Sequence, residues 1–294
     1  MVTFDSRDTQ DMFWTLSMLM TDFSIEVTPR EVRRFAPLIS ILPAGTRVGL
    51  TARPTFPTAR SHAAASALVW SGMRPVLPLH LSHVADRGQV DRTLARWEHL
   101  GVDDIVLEVG VAHDLGTVLD DIVDLLSGPD FRRRRFRSIG VRLDGFRNYG
   151  AGTPVPESAD LLRALDAARG FSHDRGIELY LTTPSTARTH PLVRWERSLR
   201  AAGNRLPIRV ELPGPWCTDP LPWWRPVSSR QDPHRLVLDL AAAVAQDPDS
   251  KAQSVQLFPA RSFARTARWA LDLGNGNFVI DHDPDGGHRV AILS

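Results

Sequence analysis

Eight short apolar, β-branched runs recur along this 294-residue chain, and most are followed by a stretch with helical periodicity. That rhythm constrains the fold more than any other feature. The strand candidates cover residues 23–27, 46–51, 74–81, 104–110, 138–143, 178–182, 207–212 and 254–258. Several read as near-continuous apolar runs, as parallel strands covered on both faces would. Between them lie helix-like segments at 57–71, 89–100, 157–175, 190–202 and 233–246. In 89–100 the residues Val90, Leu94, Trp97 and Leu100 step by three or four, which turns one stripe to a sheet and leaves Arg92, Arg96 and Glu98 to water. Punctuation agrees: Pro29 and Pro57 stand at first helical turns, and Gly72, Gly101, Gly176 and Gly203 follow helix ends.

Strand and helix alternating with short links favour right-handed crossovers, and eight units allow the sheet to close. The expected fold is α/β: a single-domain (β/α)8 barrel of the TIM type, its core about residues 22–273. A doubly wound open sheet is the alternative, but no Gly-x-Gly-x-x-Gly turn follows the first strand. The apolar stretch from Met12 to Met20 is about half the length of a membrane span and reads as a helix closing the barrel. Residues 278–294 read as a C-terminal hairpin, with Asp285-Gly286-Gly287 between two apolar runs. The stretch from Trp216 to His234, with three tryptophans and four prolines, reads as a long loop after the seventh strand that acts as a lid, a partner surface or a rim cover.

Composition excludes some functions. Lys plus Arg number 35 against 34 acidic residues, so a net charge of +1 gives no field to attract nucleic acid or an anionic membrane. One cysteine, Cys217, cannot form an internal disulfide, and no paired Cys/His spacing suggests a metal site. These features point to a cytoplasmic protein whose partner is a small molecule or another protein, including a second copy of itself. Asp281-His282-Asp283-Pro284-Asp285-Gly286 imitates a calcium loop, but Ile292 stands where a bidentate glutamate is needed. The basic run Arg132 to Arg135 with Arg137 reads as a solvated face at the barrel bottom.

In a barrel of this kind the chemistry sits at the strand tops, and these carry a resemblance. The stretches Ser24-Ile25-Glu26-Val27-Thr28-Pro29, Leu42 to Thr51, Arg74 to Leu81, Leu100 to Leu107, Gly176 to Thr183, Trp195-Glu196-Arg197 with Leu206 to Val210, and Leu257-Phe258-Pro259 with Arg265 to Trp269 follow one another over residues 23 to 270. In order and spacing they resemble the methylenetetrahydrofolate reductase family, whose barrel binds flavin and then folate. The resemblance implies that Glu26 is the acid near the folate nitrogen that must be protonated before hydride reaches the methylene carbon. It implies that Thr51 hydrogen-bonds flavin and that His80 lies beside the isoalloxazine. The bland alternatives are that Glu26 pairs with an arginine inside the barrel mouth and that His80 satisfies backbone groups.

The chain also departs from that pattern. Val111 follows Gly110 where the family has Gly-Asp; Thr183-Pro184-Ser185 replaces Thr-Gln-Phe; and residues 144–150 replace the Tyr-Pro-Glu and His-Pro signature. These changes weigh against FAD and against the standard folate contacts. Asp144, Arg147 and Tyr149 are candidates to rebuild a polar substrate site, because Asp and Arg read a pterin's donor and acceptor edge; Thr183 is a further candidate substrate contact. Three functions remain open: a flavin-free reductase taking hydride directly from NAD(P)H, another one-carbon transfer on a tetrahydrofolate derivative, or a non-catalytic relative that binds a partner through the tryptophan-rich loop.

Overall fold

The computed structural model describes residues 6–51, 58–80, 87–108, 122, 124–142, 159–183, 189–215, 232–259, 262–282 and 288–293. Eight parallel strands form a closed barrel in chain order, β1 (Ser24–Val27), β2 (Arg47–Leu50), β3 (Arg74–His80), β4 (Asp104–Glu108), β5 (Ser138–Arg142), β6 (Glu178–Thr182), β7 (Ile208–Pro213) and β8 (Ala252–Phe258). Closure comes from β8 pairing with β1, Ser24 opposite Gln256, which excludes the open doubly wound sheet. Helices α1 (Arg7–Thr21), α2 (Pro29–Ile39), α3 (Ala59–Trp70), α4 (Arg87–His99), α5 (Pro129–Arg132), α6 (Ala159–Arg175), α7 (Thr189–Ala201), α8 (Pro233–Ala245) and α9 (Phe263–Gly274) accompany them. Among the described residues no helix is long and apolar enough to cross a membrane.

Helix α1 opens on Ser6, whose hydroxyl accepts from the Thr9 amide, and packs against α8, α9 and β8. The chain turns from β1 into α2 through a capping box: Thr28 N–H donates to Glu31 (2.7 Å) and Glu31 N–H to the Thr28 hydroxyl (3.3 Å). That turn lies two residues after Glu26 and fixes the top of β1. Gly72, Gly101, Gly176 and Gly203 all follow helix ends at positive φ, the left-handed C-terminal position where a side chain is strained. A separate antiparallel hairpin, β9 (Phe278–His282) with β10 (His288–Ile292), ends the chain. Phe278 stacks on Phe13 of α1 at 4.4 Å. Residues 283–287, with most of the calcium-loop imitation and the hairpin turn, lie outside the described residues.

The strands differ from the near-continuous apolar runs expected of them. Side chains alternate across a strand, and the ladder registers carry one parity around the barrel. Ile25, Val48, Leu77, Ile105, Ile139, Leu179, Val210 and Leu257 face outward and merge with Leu68, Trp97, Leu199, Leu240 and Trp269 of the helices into one core. The opposite parity, in register through Glu26, Gly49, Val76, Asp104, Ser138 and Glu178, faces the lumen and is largely polar. Barrel lumens are commonly filled by branched aliphatics; here two ionic layers sandwich a small apolar one of Val76, Val106 and Tyr180.

At the bottom, Arg74 grips Asp104 with two hydrogen bonds (2.9 and 2.6 Å). Arg47 bridges Asp22 (2.7 Å) and Glu178 (2.8 Å), and Arg209 bonds Glu178 (2.8 Å). Above them the Arg209 guanidinium lies over the Tyr180 ring at 4.0 Å. Burial pushes the Tyr180 phenol above its ordinary pKa of 10.0. The basic run is tied to neighbouring carboxylates: Arg134 pairs with Asp91 and Glu98 of α4, and Arg137 with Asp103.

Two outcomes follow. A Cβ at Gly140 would stand 2.6 Å from Tyr180 Cζ, so G140A should destabilise by about 1–3 kcal/mol through forced repacking, measured by urea unfolding. On the outside, hydrogen bonds from Arg200 pull the Asp247 carboxyl from 3.8 down to about 2. A folded-state value below the unfolded one means this tie contributes fully above the ordinary value of 3.8 and is lost as pH falls to about 2. D247N should therefore flatten the stability curve across that interval in urea titrations repeated at each pH.

Candidate active site

The C-terminal ends of the strands carry one connected ionic network. Arg142, the last residue of β5, extends across the lumen and uses three guanidinium directions. Its Nη2 donates to Glu26 Oε2 of β1 at 2.9 Å, its Nε to Glu211 Oε1 of β7 at 2.7 Å, and its Nη1 makes a short bond to Glu108 Oε1 of β4. Strand β5 lies four places from β1 in an eight-stranded ring, so Arg142 and Glu26 meet across the full diameter. Three carboxylates from three strands thus converge on one guanidinium, the geometry that Arg's planar fork suits and a lysine ammonium does not.

Glu26 is 4% exposed and accepts on both oxygens. Besides Arg142, Gln256 Nε2 of β8 donates to its Oε2 at 2.7 Å and the Thr51 hydroxyl to its Oε1 at 2.8 Å. Gly49 on β2 lies beside it, where a Cβ would be in van der Waals contact with Glu26 Cγ at 3.4 Å. All three donors favour the charged carboxylate. Glu26 is thus paired with an arginine inside the barrel mouth.

His80 ends β3 beside Glu108, with Nδ1 3.1 Å from Glu108 Oε2. Glu108 therefore faces Arg142 with one oxygen and His80 with the other. Thr183, just past β6, is 1% exposed, and its hydroxyl accepts from the Glu211 amide at 2.9 Å. Its hydroxyl thereby ties the end of β6 to the Glu211 backbone of β7. Asp144, Arg147 and Tyr149 lie outside the described residues, as do residues 216–231 of the tryptophan-rich loop. His234, counted with that loop from sequence, belongs to α8. There its Nδ1 accepts from the Trp269 indole at 3.3 Å, and burial lowers its pKa from 6.5.

Of the residues expected to hold flavin, the Thr51 hydroxyl donates to Glu26 and His80 adjoins Glu108. Among the described residues no group of three His, Cys, Asp or Glu side chains is placed to hold a metal. Glu108, Arg142, Glu211 and Gln256 were not singled out from sequence. Their signal was nonetheless there, as polar residues breaking apolar strands at alternate positions.

No protein-family model matches the chain. Among solved structures, tryptophan synthase from M. tuberculosis in its aminoacrylate- and BRD0059-bound form aligns with a TM-score of 0.50 at 14% identity, over 92% of this chain and 98% of that one. Deoxyribose phosphate aldolase from Aeropyrum pernix aligns with a TM-score of 0.49 at 10% identity, over 89% and 97%. The first likeness agrees with the barrel fold and carries nothing about chemistry; the second adds nothing further.

Removing the hub tests its weight. R142M leaves Glu26, Glu108 and Glu211 mutually repelling without their shared cation, and should cost about 3–5 kcal/mol in urea unfolding, the range for breaking a buried ion pair from one side.

Proposed function

We propose that this chain is a barrel enzyme of one-carbon metabolism that acts on a tetrahydrofolate derivative, reducing 5,10-methylenetetrahydrofolate to 5-methyltetrahydrofolate or carrying out a related one-carbon transfer. In the reduction, the bond between the methylene carbon and one folate nitrogen breaks, that nitrogen takes a proton, and hydride from reduced nicotinamide reaches the carbon. One observation carries the reading: Glu26, Thr51 and His80, assigned from three different strand ends, belong to a single network at the barrel top, linked through Arg142 and Glu108. Carboxylates so placed suit the amidine edge of a pterin, which presents adjacent N–H donors. Charges fixed in a water-poor lumen also act more strongly than they would in solvent.

A second reading, a non-catalytic barrel that binds a protein partner, is favoured by a specific feature. Glu26 already has donors on both oxygens and Arg142 is committed to three carboxylates, as a purely structural plug would be. In that case the partner surface falls on the stretch from Trp216 to His234.

Calorimetric titration with 5-methyltetrahydrofolate separates the two. The folate reading expects saturable binding that weakens by about tenfold or more in E26Q, since a hydrogen bond to a charged group contributes roughly 1.5–3 kcal/mol. Absence of binding at millimolar ligand sinks the folate reading and leaves the partner-binding barrel.

A further inference from the structure

The proton required by the proposed reaction needs a carrier, and the network distinguishes groups that hold charge from the one that can move it. Glu26 and Glu211 have side chains 2% and 0% exposed and face Arg142 directly. A proton placed on either would weaken its charge-assisted bond to Arg142, so both serve as fixed charges. Glu108 and His80 form the less deeply buried edge of the network, with side chains 15% and 10% exposed, although the Nε2 atom of His80 is itself buried.

We propose that His80 is the proton-transfer residue of the strand-top site, working through Nε2, and that Glu108 is its positioning residue. Glu108 Oε2, at 3.1 Å from Nδ1, makes Nδ1 the protonated nitrogen of the neutral ring. That leaves the lone pair on Nε2. Glu108 is itself fixed by the bond from Arg142 Nη1 to its other oxygen, so the ring is oriented through two links from the barrel wall. The chain Arg142, Glu108, His80 is the general arrangement in which a base is held in one tautomer by a carboxylate that also stabilises the imidazolium. Its proton balance is closed: Nε2 takes a proton from water, gives it to the departing folate nitrogen, and returns to the neutral Nδ1–H form. The ring charges while facing Glu108 of β4, with Arg142 of β5 and Glu26 of β1 next in the network.

This inference rests on the folate reading only for the identity of the proton acceptor. Long-range proton–nitrogen NMR of histidine-labelled protein reads the ring directly, with H80Q assigning the signal. The expected result at neutral pH is a lone-pair nitrogen at Nε2 and a proton on Nδ1 in the wild type, with the preference lost in E108Q and restored in E108D. A wild-type ring protonated at Nε2 overturns the proposal. In parallel, H80Q should lower single-turnover reduction by reduced nicotinamide about 100-fold or more while keeping calorimetric affinity for 5-methyltetrahydrofolate; an unchanged rate overturns the role. A wild-type protein that fails to bind 5-methyltetrahydrofolate removes the folate reading alone, and the tautomer then decides whether His80 is built for proton transfer.

Discussion

The guanidinium of Arg142 is the interaction on which the barrel top depends. A lone charge in the lumen would forfeit its hydration at a cost of several kcal/mol. This one is surrounded by carboxylates from β1, β4 and β7. The converse constraint is equally strong: three glutamates brought together across a barrel repel one another unless a cation stands between them. Arginine at the end of β5 meets both requirements because its fork addresses three directions from one stem.

The ionic top tolerates being polar because the fold draws its cohesion from elsewhere. The outward halves of all eight strands join the helices in one apolar core, and burial of that surface is the main favourable term. Inside, Val76, Val106 and Tyr180 form a thin apolar partition between the upper network and the lower one of Arg47, Arg74, Arg209, Asp104 and Glu178. Tyr180 fills the partition because Gly140 opposite it has no side chain.

The barrel was legible from sequence because the feature that announces it, strand and helix in alternation, is the feature that causes it. Boundaries followed: 178–182 matches β6, and Pro29 and the post-helical glycines mark turns that only those residue types make easily. What periodicity concealed was the lumen. Runs such as Ile208-Arg209-Val210-Glu211-Leu212 look apolar on average, yet their alternate members point to opposite sides of the wall, and Arg209 and Glu211 carry the inner face. Glu26, Thr51 and His80 were singled out because each lies at or near a strand end within the stretches that carry the resemblance. Arg142 and Glu108 end strands too, but nothing local announces their meeting with Glu26, since β1 and β5 come together only through closure of the whole ring. The pairing of Glu26 with an arginine was foreseeable in kind; which arginine was not.

A site made only of satisfied ion pairs has no group able to change its protonation at low cost, and is a better strut than a catalyst. The upper network escapes that condition at one edge. Its sealed members, Glu26 and Glu211, answer Arg142 and keep their charge, whereas Glu108 divides its two oxygens between Arg142 and an imidazole. Among the named side chains of that network, the imidazole is the one that can take up a proton while keeping its bond to a carboxylate. Its carboxylate partner is already ionised and already held. The charges that make the barrel rigid therefore also supply a fixed field around one titratable ring.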